Sequence, residues 1–254
     1  MTETSPDPRE RFSAAADDYA RHRPSYPEAL VDWLLESAGV PRPGRIADVG
    51  CGTGIATRLL AARGHDVVGV DPNEEMLAQA RRAGGGARYV RGEASGTGLE
   101  ASIFDLVTVA QALHWIPLGG FLAECRRILK PSGWSAAFWN LRAGGPFMDA
   151  YEALLKAESP EYSRVPRAKQ AIEAIRASPE IEELREAAFG NAQALDRKGF
   201  FGRANSSSYV AHGLRDRAAF DAALGELFDR HQAGGQVSLR YRAVVYAWRL
   251  RRDP

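Results

Sequence analysis

A turn with three alternating glycines constrains the fold of this chain more than any other feature. Gly50, Gly52 and Gly54 follow a short apolar run at 45–47 and precede a helix-like run at 55–61. Glycine has no Cβ, so the backbone of such a turn can approach a ligand closely. The order of strand, glycine turn and helix therefore predicts a binding site for a nucleotide-like cofactor.

A second apolar run, at 66–71, ends in a carboxylate, Asp71. In a doubly wound sheet, an acid about 20 residues after the glycine turn accepts hydrogen bonds from the two hydroxyls of a ribose. An NAD(P)-dependent oxidoreductase would share these features. Its turn, however, follows the pattern G-x-G-x-x-G, and this chain has Ile55 where that pattern requires glycine. The oxidoreductase remains a less favoured alternative.

Strand-like and helix-like runs alternate from 45 to 140, which predicts a parallel α/β sheet. Residues 1–44 carry two helical patterns that either cover one face of the sheet or close over the cofactor. From 141 to 190 the runs are helical and interrupted by prolines, so we expect an inserted helical lid. Residues 191–254 would complete the sheet of a single domain, beginning with a strand at 192–198.

The composition narrows the class of protein. The chain has 254 residues and a formal net charge of +1, with no segment basic enough to bind a nucleic acid. It has no apolar leader and no run of about 18 apolar residues, which predicts no membrane segment and a cytoplasmic protein.

The chain has two cysteines, and so few cysteines suit a reducing compartment. Cys51 is either a nucleophile or a small residue that the turn tolerates. The five histidines are scattered, so no metal is expected.

Five motifs in order resemble the class I S-adenosylmethionine-dependent methyltransferases: 48–54, Asp71, 92–94, 104–107 and 129–133. Three further segments look like the branch that contains the trans-aconitate methyltransferase-like small-molecule enzymes: 19–27, 110–115 and 206–209. The resemblance implies a Rossmann-like sheet of seven strands, mostly parallel, with an antiparallel last strand. It also implies S-adenosyl-L-methionine as cofactor and S-adenosyl-L-homocysteine as product.

The glycine turn, the N-terminal segment and the resemblance together give the expected cofactor-binding residues. They are Tyr19, Arg23, Asp48, Gly50, Cys51, Gly52, Gly54, Asp71, Pro72, Met76, Glu93, Ala94 and Gln111. The resemblance implies that the turn approaches the methionine part, that Asp71 binds the ribose, and that Glu93 and Ala94 bind the polar edge of adenine. The family more often has Asp at position 93, although Glu keeps the acceptor. An ordinary surface glutamate at position 93 is the less favoured alternative.

The expected substrate pocket consists of Tyr26, His114, Trp115 and Asn140, with His114 as the catalytic residue. Methyl transfer needs alignment and desolvation, and it needs a base only if the acceptor must lose a proton. His114 would then be that base, or it would only orient the acceptor. Trp115 would shape the pocket or pack in the core.

The predicted function is methyl transfer to a small molecule, at a carboxylate or hydroxyl oxygen of a secondary metabolite. Methylation of nitrogen or carbon is an alternative, as is a binding protein without catalysis. The expected partners are the small-molecule substrate alone, with no nucleic acid and no membrane. The protein is expected to be a monomer or a homodimer.

Overall fold

The computed structural model describes residues 22–164, 168–211 and 213–251. Seven strands form one sheet in the order β3-β2-β1-β4-β5-β7-β6, mostly parallel and with an antiparallel last strand. This is the Rossmann-like arrangement that the resemblance implied. The strands are β1 (Arg45–Val49), β2 (Asp66–Asp71), β3 (Arg88–Arg91), β4 (Phe104–Ala110), β5 (Leu129–Arg142), β6 (Ile181–Leu195) and β7 (Val237–Leu250).

Most helices lie where the periodicity of apolar residues predicts them. In chain order the helices are α1 (Glu28–Ser37), α2 (Ile55–Ala61), α3 (Glu74–Ala83), α4 (Leu118–Ile128), α5 (Pro146–Glu158), α6 (Pro160–Arg164), α7 (Ala168–Ala177), α8 (Arg197–Asn205), α9 (Ser208–Ala211) and α10 (Arg217–His231). A short 3-10 turn, Leu113–Trp115, lies between β4 and α4. Among the helices of the described residues, none is long and apolar enough to cross a lipid bilayer.

The register of the central strands brings three strand ends together. β1 pairs in parallel with both β2 and β4, so that Val49 lies opposite Val70 and Asp48 lies opposite Thr108. Apart from Arg45, β1 is buried along its whole length, as expected for a parallel strand covered on both faces. The glycine turn after β1 therefore lies beside Asp71 at the end of β2.

The chain divides into two compact units. The sheet unit comprises Ser25–Leu141, Pro166–Phe189 and Ala243–Pro254, and the helical unit comprises Met1–Pro24, Arg142–Val165 and Gly190–Arg242. In the sheet unit, alternate residues of β7 contribute to two apolar clusters: Val244 and Trp248 to one, Ala243 and Val245 to the other. This alternation follows from the twofold period of a strand.

The helical unit has its own apolar core. Helices α5, α8, α9 and α10 and the first half of β7 contribute buried side chains to this core. Its aromatic members pack closely, with the ring centroids of Tyr151 and Phe200 5.2 Å apart. The expected lid at 141–190 is divided between the units, because Arg142–Val165 belongs to the helical unit and Pro166–Phe189 to the sheet unit.

The sixth strand was misplaced by the sequence analysis. We expected it at 192–198, whereas β6 spans Ile181–Leu195, and residues 197–205 form helix α8. The first part of β6 is rich in Glu, Arg and Ala, which favour helices when tertiary contacts do not decide. Because β6 is an edge strand, its exposed positions accept these residues.

The start of β5 is irregular. Phe104 pairs with Leu129 and Leu106 with Trp134, so residues 130–133 bulge out of the β4–β5 pairing. Of the two helices expected before β1, the second is α1. The first expected helix and Tyr19 lie outside the described residues.

Candidate functional site

The glycine turn has the backbone conformation that its sequence predicted. The φ angles of Gly50, Gly52 and Gly54 are 67°, 54° and 76°. These values lie in the left-handed region, which is costly for other residues. A Cβ on Gly50 would lie 2.8 Å from the Cβ of Ala112, whereas a Cβ on Gly52 would meet no atom of the described residues within 4 Å. The turn is therefore packed at Gly50 and open at Gly52, which leaves room for a ligand to approach its backbone.

Asp71 fixes this turn from the neighbouring strand. Its Oδ2 accepts a hydrogen bond from the N–H of Gly52 at 2.8 Å, and its Oδ1 accepts one from the N–H of Asn73 at 2.9 Å. The side chain is 8% exposed. Burial raises the pKa of Asp71, while these two bonds lower it and the charge of Glu93 raises it. A carboxylate keeps further lone pairs after two bonds, so Asp71 can still accept hydrogen bonds from a ligand.

Asp48 lies inside the protein beneath the turn. Its side chain is fully buried and accepts hydrogen bonds from the hydroxyls of Thr57 at 2.6 Å and Thr108 at 2.9 Å. Burial raises its pKa to about 6, against the lowering effect of both threonines, and the charge of Asp71 raises it further. Asp48 thus joins β1, α2 and β4. Burial makes the negative charges of Asp48 and Asp71 costly. A ligand that carries positive charge close to them would lower this cost, so the site favours such a ligand.

Cys51 is a packed residue of the turn. Its side chain is 9% exposed, and its Sγ would lie 2.9 Å from a Cβ on Gly69. Burial raises the pKa of the Cys51 thiol, and the charges of Asp48 and Asp71 add to this effect. The thiol is therefore neutral, which removes the chemical basis for a nucleophile at this position.

The turn between β2 and α3 holds the residues expected at the adenine. Asn73 caps α3, with its Oδ1 accepting hydrogen bonds from the N–H groups of Glu75 and Met76. Met76 is 3% exposed, and Pro72 is partly buried. Glu93 is exposed after β3, yet close enough for its charge to raise the pKa of Asp71.

Gln111 has a strained backbone at the end of β4. Its φ is 56°, which is uncommon for a residue with a side chain and is concentrated at functional sites. Its N–H donates to the oxygen of Phe138 at 2.9 Å, and its Nε2 lies 3.5 Å from the backbone oxygen of Asn140. The strain is therefore maintained by pairing with β5.

His114 accepts a hydrogen bond from a buried tryptophan. The Nε1–H of Trp139 donates to Nδ1 of His114 at 3.2 Å, so a neutral His114 carries its own proton on Nε2. In this tautomer the ring donates through Nε2, and its lone pair is already used. His114 also lines an apolar cavity of about 210 Å³ between the 3-10 turn and α7, together with Leu113, Ile116, Leu118, Gln170, Ala171 and Ala174.

The other expected pocket residues, Tyr26, Asn140 and Trp115, each contact a neighbouring residue of the sheet unit. Tyr26 is 8% exposed and packs edge-on against Phe138, with 4.8 Å between the ring centroids. Asn140 donates to the oxygen of Ser25 at 3.2 Å, and Trp115 is partly buried, 5.4 Å from the ring of His114. Ala94, which was expected to contact the adenine of the cofactor, is partly buried near the end of β3.

Arg23 belongs to the helical unit. Its guanidinium donates there to the backbone oxygen of Ser206 at 2.9 Å.

The sequence analysis did not identify three buried residues that donate hydrogen bonds to the expected site residues. Thr57, Thr108 and Trp139 each bind an expected site residue, and each is fully buried or nearly so. Thr108 is an isolated polar residue within the apolar run of β4, which was an available signal. No comparable signal marked Trp139. Within residues 22–164, 168–211 and 213–251, no three His, Cys, Asp or Glu side chains could hold a metal ion together.

Comparison with known proteins adds a family to this geometry. Residues 47–137 match the model of a methyltransferase domain. An uncharacterized methyltransferase of Mycobacterium tuberculosis is 41% identical over 131 residues, which cover 52% of this chain and 52% of that protein. The malonyl-[acyl-carrier protein] O-methyltransferase of Pseudescherichia vulneris is 31% identical over 134 residues, covering 52% and 53%. The chain thus matches about half the length of these curated relatives.

A solved structure is similar over nearly the whole chain. A protein of Anaeromyxobacter dehalogenans, assigned as a type II methyltransferase, is 30% identical to this chain, with a TM-score of 0.67. The similarity covers 89% of this chain and 96% of that protein. It therefore extends well beyond the region of the domain model.

Proposed function

Because the chain belongs to the class I S-adenosylmethionine-dependent methyltransferases, we propose that it transfers a methyl group from this cofactor to an oxygen of a small molecule. The observation that carries the proposal is the open glycine turn bound to Asp71 through the N–H of Gly52. The alternation of strand and helix around it is the frame in which such turns bind nucleotides.

The residues present suit this cofactor. Bound S-adenosylmethionine supplies a methyl group already activated by a positively charged sulfur. Gly52 would let the backbone approach its methionine part, and Asp71 would accept hydrogen bonds from the ribose hydroxyls. Asp48 and Asp71 would compensate its positive charge. Gly50, Gly54, Cys51, Pro72, Met76, Glu93, Ala94 and Gln111 remain the other proposed cofactor contacts within the sheet unit, and Tyr19 and Arg23 remain proposed contacts from outside it.

We propose that His114 orients the acceptor. Its Nδ1 accepts the hydrogen bond from Trp139, so its Nε2–H can donate to an acceptor oxygen but cannot take a proton from it. An ionised carboxylate needs no base at neutral pH, which favours it over a hydroxyl as the accepting group. The O-methyltransferase of Pseudescherichia vulneris among the relatives supports oxygen as the acceptor. Tyr26, Trp115 and Asn140 remain proposed pocket residues.

Binding and turnover test the two parts of the proposal separately. Calorimetry should show that the protein binds S-adenosylhomocysteine and does not bind NAD. Incubation of purified protein with labelled cofactor and a panel of carboxylic acids, alcohols and amines should give a methyl ester or ether, located by mass spectrometry. Binding of NAD in place of S-adenosylhomocysteine would overturn the family function, and a methylated nitrogen or carbon would overturn the oxygen acceptor.

The role of His114 has its own test. His114→Ala should lower kcat by about tenfold, as expected for the loss of one orienting hydrogen bond, and leave the Kd of S-adenosylhomocysteine unchanged. A loss of 10²-fold or more, with a pH profile that depends on His114, would indicate a base instead. Trp139→Phe serves as a control, because it removes the hydrogen bond to Nδ1 and keeps His114.

The setting of the activity is also a proposal. We infer a cytoplasmic protein that acts on a secondary metabolite, as a monomer or a homodimer. The two free, buried cysteines, Cys51 and Cys125, support a reducing compartment. Fractionation of cells and light scattering of the purified protein would test the location and the number of subunits.

A further inference from the structure

Two arginines of the helical unit, Arg142 and Arg203, donate side-chain hydrogen bonds to hydroxyl groups among the described residues. Arg142, at the end of β5, donates to the phenol oxygens of Tyr162 at 3.0 Å and Tyr209 at 2.7 Å. Arg203, on α8, is 4% exposed and donates to Tyr241 at 3.3 Å and to the hydroxyl of Ser207 at 3.1 Å. These partners accept hydrogen bonds without supplying a formal negative charge.

Arginines on the surface of the same unit are paired differently. Arg197 binds Asp229 and Arg217 binds Asp221, both at distances of an ion pair. Among the described residues, no Asp or Glu side chain forms an ion pair or hydrogen bond with Arg142. Burying a guanidinium without a counterion is costly, and such charges are normally paired. The arrangement therefore leaves two positive charges that an anion would stabilise.

A buried tyrosine in this cluster supplies a second, independent observation. Tyr151 is fully buried, and its phenol oxygen has no hydrogen-bond partner among residues 22–164, 168–211 and 213–251. The guanidinium of Arg142 lies 5.1 Å from the centre of its ring. Burial raises the pKa of Tyr151 to about 12, although the charges of Arg142 and Arg203 both lower it. A buried hydroxyl without a partner costs free energy, so its retention points to a ligand that accepts its proton in a hydrogen bond.

We propose that the helical unit binds a small molecule with two acidic groups, a dicarboxylate or a phosphate dianion, through Arg142, Arg203 and Tyr151. Each guanidinium can bind an oxyanion through its planar fork, and the Tyr151 hydroxyl donates a third hydrogen bond. Two fixed charges select a dianion over a monoanion. Arg142, Tyr162 and Tyr209 are partly exposed, so an anion can approach Arg142 from solvent.

The site lies within the helical unit, so it can be tested without the cofactor. Isothermal titration of the intact protein with succinate, inorganic phosphate and acetate should show a dianion binding at least tenfold more tightly than acetate. Succinate bound more tightly than phosphate would identify a carboxylate ligand, and the reverse order a phosphate ligand. If none of the three binds, the proposal is overturned. S-adenosylhomocysteine, titrated in parallel, keeps a failure of this site distinct from a failure of the proposed function.

Substitutions separate a binding site from a purely structural cluster. Tyr151→Phe should raise the Tm of the free protein, because it removes an unsatisfied hydroxyl, and should weaken dianion binding severalfold. Arg142→Lys keeps the positive charge but lacks the planar pair of N–H donors of a guanidinium. It should therefore weaken dianion binding about tenfold. Arg197→Gln, at an exposed arginine of the same unit, should leave binding unchanged. Dianion affinity that is equal in wild type, Tyr151→Phe and Arg142→Lys would overturn the assignment even if all variants fold.

The pH dependence of binding gives a further readout through Tyr209. Burial raises the pKa of Tyr209, but the charges of Arg142 and Arg203 outweigh it and lower the pKa to about 8. The phenolate that forms above this pH would compete with the ligand for Arg142, so dianion affinity should fall as pH rises through 8. Tyr209→Phe should abolish this fall, and a fall that persists in the variant would contradict the placement of the anion. The charged and titratable groups around Tyr209 are Arg23, Arg142, Tyr151, Tyr162 and Arg203.

Discussion

Asp71 combines two tasks at one carboxylate. It holds the N–H of Gly52 and starts the turn into α3 through Asn73, and it is the proposed acceptor for the ribose. A substitution at this position therefore acts both on the shape of the turn and on the ligand. Asparagine and alanine distinguish the two effects, because asparagine keeps one oxygen that can accept from a backbone N–H.

We predict that Asp71→Ala weakens S-adenosylhomocysteine binding at least tenfold and that Asp71→Asn weakens it less. A hydrogen bond to a charged group contributes about 1.5–3 kcal/mol, which corresponds to at least this factor. Calorimetric titration measures both values. Asp66→Ala, at the exposed opposite end of β2, is the matched control and should bind as wild type does. Wild-type affinity in Asp71→Ala would refute the position of the pocket.

Asp48 gives the protein a specific pH dependence of stability. Its pKa is raised by burial from 3.8 to about 6 in the folded state. The protonated form is thus favoured on folding, and this contribution is fully present below 3.8 and lost as pH rises through 6. Asp48→Asn mimics the protonated form at every pH and keeps groups that can bind Thr57 and Thr108.

We therefore predict that Asp48→Asn gains stability relative to wild type as pH rises from 4 to above 6, by up to about 3 kcal/mol. Urea denaturation of both proteins at a series of pH values measures the difference in the free energy of unfolding. A difference that does not change with pH would show that Asp48 titrates at its ordinary value. Asp105→Asn, at a partly exposed acid of β4, controls for a general effect of charge.

At the scale of elements, α3, α8 and α10 each begin where a side chain accepts a hydrogen bond from one of their first N–H groups. Asn73 caps α3. Asp216 caps α10, because its Oδ1 accepts a hydrogen bond from the N–H of Ala219 at 3.0 Å. Both caps can be recognised in the sequence as an Asn or Asp immediately before an apolar periodic run.

We predict that Asp216→Ala destabilises the protein by about 1 kcal/mol, the usual cost of losing a helix cap. Asp221→Ala, one turn into the same helix, removes only the exposed pair with Arg217 and should cost about 0.3–0.5 kcal/mol. Urea denaturation of the two variants gives the comparison. If Asp221→Ala costs as much as Asp216→Ala, the cap does not hold the helix.

At the scale of the whole molecule, the two units offer two different chemical environments. The sheet unit presents buried acids beside an open glycine turn, which suits a cation. The helical unit presents buried arginines, which suit an anion. Opposite charge preferences of this kind fit a cationic methyl donor and an acidic second ligand.

Hydrogen exchange can assign each ligand to its unit. We predict that S-adenosylhomocysteine at about 100 times its Kd slows exchange in β1, β2 and the glycine turn, with about 2.7 kcal/mol of added stability. Succinate should slow exchange in α5 and α8 instead. Mass spectrometry of peptic fragments measures both effects. Protection of α8 without protection of the turn by S-adenosylhomocysteine would contradict the assignment of the cofactor to the sheet unit.

The parts of the fold that were predicted correctly are those with a strong local pattern. The alternation of β1, α2, β2 and α3 is expressed in short apolar runs, a glycine turn and a cap, so neighbouring residues suffice to specify it. The same is true of the central strand β4. β6 was misplaced because residues that favour a helix lie in an edge strand, where pairing with β7 decides the conformation.

The sequence by itself determined the glycine turn, Asp71 and the class of fold, because each depends on residues close together in the chain. Only the tertiary structure decided that Asp48 is held by Thr108, 60 residues away, and that Arg142 binds Tyr209, 67 residues away. Such pairs leave no periodic signal, since burial and contact between distant segments arise only when the chain is folded. For the same reason, the tautomer of His114 followed from its contact with Trp139 and not from its place in the sequence.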